Sequence, residues 1–150
     1  MSTLKRLGVL AVAVSVAVCA QAQLGSIKSE PKPERRAEKA LDNADAALKS
    51  ATDAYLAKGD LKQANADLEE LSESVQLAYA SLAETHKNPS RNPKHFKRAE
   101  IKTRELLRLL TDFREQMSVD DREAVDKAHS TVQKVHEELL EGIMGSEDKK

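Results

Sequence analysis

The chain has 150 residues, of which 40% are hydrophobic, 33% charged and 3% aromatic, with one Cys and no Trp. These proportions exclude collagen-like and disulfide-scaffold proteins, and the scarcity of aromatic residues argues against a sandwich or barrel of many short strands. Ala, Leu, Glu, Lys, Asp and Arg dominate, which is typical of long amphipathic helices. The length favours a single domain.

Residues 1–22 have the three parts of a secretory signal peptide. A short basic region precedes an apolar run over residues 7–20, and Ala20 and Ala22 form a small-x-small cleavage site. The apolar run is shorter than the roughly 20 residues that a membrane span needs. We therefore expect cleavage after Ala22 and an exported protein, either periplasmic or secreted, without an integral membrane span.

Cys19 leaves a second interpretation open, because bacterial lipoproteins are cleaved just before a lipid-modified Cys. Val18 precedes it, where a lipoprotein signal has Gly, Ala or Ser, so this alternative is less favoured. Cleavage after Ala22 removes the only Cys, and the exported chain then has no disulfide and no Cys-based metal site. It also leaves 22 bases against 25 acids, a formal net charge of −3.

The exported chain begins with a polar segment, residues 23–33, which we predict to be a disordered linker. Beyond it, apolar residues recur in steps of three and four, as in helices packed lengthwise against others. The first helix ends at Gly59, and Asp60 is expected to cap the second. The two predicted apolar seams are Ala37, Leu41, Ala44, Leu48, Ala51 and Tyr55, and then Leu61, Ala64, Leu68, Leu71, Val75, Ala78 and Leu82.

A cluster of helix breakers over residues 88–93 separates this hairpin from a second one. The third helix is predicted to begin near residues 94–96, and Ser118 to cap the fourth. Their seams are Ala99, Thr103, Leu106, Leu110, Phe113 and Met117, widened by Ile101, Leu107 and Leu109, and then Val125, Ala128, Val132, Val135 and Leu139. The four-helix domain would span residues 34–142, followed by a charged flexible tail, residues 143–150.

These elements predict an all-α fold of four amphipathic helices, arranged as two antiparallel hairpins in an up-down-up-down bundle. Two stacked hairpins are the alternative, and they would leave open faces as a groove. Coiled-coil association through the long seams is a third possibility.

Residues 48–71 contain spaced positions that suit two helices in close contact across a tight turn, namely Leu48, Tyr55, Gly59, Asp60, Ala64 and Leu68. With these residues the segment resembles a single tetratricopeptide-type helical hairpin. They cover about one repeat, whereas such arrays need about three, and Gln76 stands where the family has Pro. The resemblance implies a surface that binds a protein or peptide. The chain as a whole resembles small exported helical proteins of bacteria.

The charge is distributed unevenly. Residues 34–86 and 109–150 each hold 6 bases and 11 acids, whereas residues 87–108 hold eight bases and two acids, a net charge of +6. Bases in the first turn of a helix oppose its positive end, so a purely structural role is disfavoured. We therefore predict that an anionic partner binds at Lys94, Lys97, Arg98, Lys102, Arg104 and Arg108. Alternatively, these bases pair with acidic helices of the same bundle or of a neighbouring subunit.

Signals for other kinds of site are weak. His129 and His136 are seven residues apart, too far for both to bind one metal ion directly, and solvent exposure is the default for all four histidines, including His86 and His95. No phosphate-binding loop or nucleophile motif is present in the sequence. We therefore expect no metal, no cofactor and no enzymatic activity.

These observations lead to two functional hypotheses. The preferred one is a non-enzymatic exported protein that binds a protein or an anionic envelope component, through the basic stretch or through a groove between the hairpins. The alternative is a structural or assembly protein that forms homo-oligomers through its seams. Nucleic acid is not an expected partner, because the exported chain is net acidic and has only His95 and Phe96 to stack on bases near the basic stretch.

Overall fold

The computed structural model describes the backbone of residues 17–145 and the side chains of residues 23–145. In this part of the chain it contains helices and no strands. The elements are α1 (Ala17–Lys28), α2 (Pro33–Leu56), α3 (Leu61–Ala83), α4 (Lys94–Gln116), a 3-10 turn (Val119–Asp121) and α5 (Glu123–Met144). Most of the predicted signal peptide, residues 1–16, and most of the predicted tail, residues 146–150, lie outside the described residues.

The predicted apolar seams form the core of this all-α bundle. All their members on α2 to α5 are buried except Tyr55 and Leu61, which are partly buried against the core. Of the residues expected to widen the third seam, Leu107 and Leu109 are also partly buried. The prediction for Ile101 was wrong, because its side chain is 53% exposed. Two residues correspond to about 200° around a helix, so Ile101 lies on the side opposite buried Ala99.

The structure differs from the disordered linker predicted over residues 23–33. Helix α1 extends to Lys28, and Leu24 and Ile27 are only 5% and 6% exposed. The turn into α2 is held by Arg36, whose Nη1 donates a hydrogen bond to the carbonyl of Glu30 at 3.1 Å. Burial of these two aliphatic side chains stabilises an ordered structure in this segment, although its prolines suggested disorder.

The turn between α2 and α3 has the predicted chemistry. Gly59 adopts a φ of +62°, in the left-handed region that only Gly enters without strain. The Asp60 carboxylate then accepts a hydrogen bond from the backbone N–H of Gln63 at 3.0 Å, which confirms the predicted cap of α3.

Three polar contacts, spaced seven residues apart on each helix, connect α2 to α3. We call them the polar ladder: Arg36 Nε to Ser81 Oγ at 2.8 Å, Asn43 Nδ2 to Ser74 Oγ at 2.9 Å, and Ser50 Oγ to Asp67 Oδ2 at 2.7 Å. Asn43, Asp67, Ser74 and Ser81 are buried in the ladder. Buried polar groups lose free energy unless they are paired, so the ladder favours one register of the two helices.

The second hairpin begins at Lys94, as predicted, but the turn between its two helices differs from the prediction. Ser118 makes no side-chain cap, and α5 starts at Glu123 after a 3-10 turn. The backbone N–H of Ser118 instead donates to the hydroxyl of Tyr55 at 3.0 Å, and that hydroxyl donates to Asp121 at 2.7 Å. The Tyr55 ring packs edge-on against Phe113, so one side chain of α2 fixes the turn between α4 and α5.

The two hairpins lie side by side. Helix α2 packs against α3 and α4, and α5 packs against α3 and α4. Contacts between α2 and α4 advance along both helices in the same direction, from Glu38 and Arg98 to Asp45 and Lys102, so these two helices run parallel. The all-α bundle is therefore confirmed, with α4 placed beside the acidic face of α2.

The polar ladder predicts a large effect for its central Asn. Replacing Asn43 with Ala leaves the Ser74 hydroxyl buried without its partner, and we expect the free energy of unfolding to fall by about 1–3 kcal/mol. Replacing the exposed neighbour Asp42 with Ala should change it by less than about 0.5 kcal/mol. Denaturant unfolding of both variants measures the difference. Equal stabilities would show that the ladder does not contribute.

The packing of α1 gives a second prediction. Truncating Ile27 to Ala removes a buried side chain, and we expect the free energy of unfolding to fall by about 2 kcal/mol. Ser26→Ala, one residue away on the exposed face, is the matched control. Thermal unfolding by circular dichroism compares the two. If residues 23–33 are a disordered linker, both variants will melt with the native protein.

Candidate functional site

Three bases of the stretch 87–108 form ion pairs with carboxylates on α2. The pairs are Lys87 with Glu34 at 2.7 Å, Arg98 with Glu38 at 2.6 Å, and Lys102 with Asp45. The hydrogen bond to Asp45 raises the pKa of the Lys102 ammonium above its ordinary value. Pairing within the bundle therefore explains Arg98 and Lys102 among the predicted binding residues.

The other four predicted binding residues share one outward face of α4. Lys94, Lys97, Arg104 and Arg108 are spaced by three, seven and four residues, which places them along one side of the helix over about 21 Å. All four are exposed. We call this set the basic stripe. Nothing acidic lies in the first turn of α4, so Lys94 and Lys97 also face the positive end of the helix.

Few contacts neutralise the basic stripe. Among the described residues, Lys94 and Lys97 have no acidic partner within ion-pair distance, whereas Arg104 and Arg108 pair only along α4, with Glu100 at 3.4 Å and Asp112 at 3.2 Å. The Arg104 and Arg108 side chains remain 64% and 65% exposed. Such exposed pairs one turn apart contribute about 0.3–0.5 kcal/mol, so an incoming anion can readily replace them.

Ile101 lies in the middle of the basic stripe. It follows Lys97 by four residues and precedes Arg104 by three, so both bases are its neighbours on the helix surface. Its 53% exposure is high for an aliphatic side chain of this size. The sequence assigned Ile101 to the core, and it is therefore the residue of this surface that sequence reasoning missed.

The grooves between the hairpins have the opposite charge. A groove of about 470 Å³ lies between α2 and α4, and another of about 490 Å³ lies between α3 and α5. The first is lined by four acids and one base, Asp45, Asp53, Glu105, Asp112 and Lys49. The second is lined by Glu69, Glu73, Glu123 and Lys127 among its charged residues. An anionic ligand is therefore disfavoured in either groove.

One arrangement superficially resembles catalytic chemistry. His136 Nδ1 lies 3.0 Å from the Thr103 hydroxyl, and its Nε2 lies 3.9 Å from Glu100. Thr103, however, is fully buried, and its hydroxyl also contacts the backbone carbonyls of Ala99 and Glu100 within α4. A substrate has no access to this hydroxyl, so the three groups join α4 to α5 as a structural contact.

The other three histidines lie at separate places in the fold. His129 Nε2 reaches the Thr111 hydroxyl at 3.4 Å, so both histidines of α5 face α4, and the default of solvent-facing side chains was wrong for His136. His95 lies beside α2 with a buried Nδ1, and His86, between α3 and α4, has a φ of 52°. Across the residues that the structure describes, no group of three His, Cys, Asp or Glu side chains is placed to hold a metal ion.

Comparison with known proteins gives no family for this chain. No family model, curated protein or solved structure matches it. The tetratricopeptide resemblance of residues 48–71 therefore stays a prediction. Among the described helices, none has the length and apolar character needed to cross a membrane.

The ion pairs around the site predict an acid-dependent loss of stability. The hydrogen bond from Lys87 lowers the pKa of the Glu34 carboxyl below its ordinary value of 4.5. The contribution of this pair is therefore complete above that value and is lost as the pH falls through the lowered pKa of the folded state. We expect Glu34→Gln to melt at a lower temperature than the native protein at neutral pH.

The same comparison at acid pH is the internal check. Below both pKa values Glu34 is protonated and resembles Gln, so the two melting temperatures should converge. Glu69→Gln, which changes an exposed acid on α3, is the matched control. A gap between native and Glu34→Gln that does not change with pH would contradict the assignment of the ion pair.

Proposed function

We propose that this protein is exported and acts, without catalysis, by binding an anionic partner through the basic stripe of α4. The observation that carries the proposal is that four bases share one exposed face of a helix in an otherwise acidic chain. Their only ion pairs among the described residues are weak contacts within the same helix. A phosphate- or carboxylate-bearing surface of the cell envelope has the chemistry to bind such a face.

The pairing pattern supports this assignment over a purely structural one. If the bases of residues 87–108 served only to hold the bundle, all of them would be expected to reach the carboxylates of α2, as Lys87, Arg98 and Lys102 do. The stripe instead points away from these carboxylates. Lys94 and Lys97 are repelled by the positive end of α4, which lowers stability slightly, and binding an anion would relieve this repulsion.

Self-association through the seams has less support. The seams of α2 to α5 are buried against one another within a single chain. A homo-oligomer would therefore need a different surface. Sedimentation at several concentrations checks this alternative, because assembly through exchanged seams would raise the apparent mass with concentration.

The proposal predicts a specific loss of binding. Changing Lys94, Lys97, Arg104 and Arg108 together to Gln should weaken binding to vesicles or soluble polymers that carry acidic groups. Each base near an anionic lipid surface contributes about 1 kcal/mol, so the affinity for vesicles should fall by up to about a thousandfold at low salt. Cosedimentation of the purified exported protein with phosphatidylglycerol vesicles, and titration with polyphosphate, measure the two affinities.

A charge-matched variant is the control. Lys58, Lys62, Lys127 and Lys134 are exposed and lie outside α4, and changing them to Gln alters the net charge by the same amount. This variant should bind nearly as the native protein does, and native binding should weaken as salt is added. Equal losses in both variants, or binding by neither native protein nor variants, would refute the proposal.

A further inference from the structure

Ile101 distinguishes the basic stripe from a purely electrostatic surface. Large aliphatic side chains are exposed at four described positions, Leu56, Ile101, Val119 and Met144. Of these, only Ile101 lies among the bases of α4. Single exposed aliphatic residues are common and need no explanation by themselves. Ile101 is of interest because of its position among the bases.

Ile101 lies at the centre of the basic stripe. Lys94 and Arg108 lie seven residues before and after it, and Lys97 and Arg104 lie one turn away on either side. Lys and Arg carry long aliphatic stems that lie along an apolar surface while their charges stay at its polar boundary. The stripe therefore presents an apolar centre with bases on both sides of it along the helix, and the exposed acid beside it is Glu105, four residues after Ile101.

A lipid bilayer surface and a soluble polyanion place different demands on such a face. Both attract the four charges, but only the bilayer offers an apolar layer directly beneath its acidic headgroups, in which Ile101 would leave water. Against a hydrated polymer, the Ile101 side chain would remain exposed to water, or it would hold the four bases away from the acidic groups of the polymer. The combination of charges and side chain fits the bilayer better.

We infer that the anionic partner is a lipid surface with acidic headgroups, on which α4 lies in the interface with Ile101 inserted below the headgroups. This inference rests on the proposed function of the basic stripe and adds the class of its partner.

A tryptophan introduced in place of Ile101 reports insertion directly. The chain has no Trp, so Ile101→Trp gives a single emission signal. We expect its emission to shift to the blue with phosphatidylglycerol-containing vesicles, to be quenched by brominated acyl chains, and to stay unchanged with phosphatidylcholine vesicles or polyphosphate. Leu56→Trp, which replaces another exposed aliphatic residue at the far end of α2, should show no shift.

The contribution of the native side chain is tested with Ile101→Gln. We expect affinity for phosphatidylglycerol vesicles to fall about 3- to 10-fold, with polyphosphate binding unchanged. Ile101→Trp and Ile101→Gln each change an exposed side chain, so the melting temperatures of both variants should remain close to that of the native protein.

The outcomes separate this inference from the proposed function. Suppose that vesicle binding needs the basic stripe, but the indole of the Ile101→Trp variant stays in water and Ile101→Gln binds as the native protein does. The lipid inference is then overturned and anion binding stands. Tight binding to polyphosphate without binding to vesicles would also overturn the lipid inference and leave anion binding in place. If native protein binds neither probe, the proposed function itself fails.

Discussion

The register between α2 and α3 is the constraint on which the rest of the structure depends. The facing side of α2 is built largely from alanines, which lets the two helices pack closely but gives them little shape to lock one register. The polar ladder supplies that specificity, because sliding either helix by one turn would bury Asn43, Ser74 and Asp67 without their partners. A thin apolar seam and a few buried polar groups therefore act together.

A fixed α2 in turn places α4. Once the register is set, Glu34, Glu38 and Asp45 project along one edge of α2, and the nearest bases of the 87–108 stretch pair with them. At the other end Tyr55 packs on Phe113 and binds the turn after α4. Held at both ends, α4 has one rotation about its axis, and that rotation determines which bases face outward.

The sequence predicted helices α2 to α5 and their core because a 3.6-residue period is a local property of the chain, but it did not predict α1. It could not separate paired from outward bases, since that division depends on which edge of α2 lies beside α4. The same limit applies to Asn43 and Ser74, which are polar and were indistinguishable from solvent-facing residues until their partner helix was known. Ile101 was misassigned for a different reason: it was placed in the core on hydrophobicity, although its spacing of two residues from Ala99, about 200° around the helix, puts it on the opposite side.

The division of charge has a consequence for orientation. The flanking segments of the chain each carry a net charge of −5, so an anionic surface repels most of this protein and attracts the face of α4. Attraction at one face and repulsion elsewhere select a single orientation as well as a partner. Under the proposed function, charge segregation therefore directs the face of α4 to the anionic partner and leaves the acidic faces of the bundle in solvent.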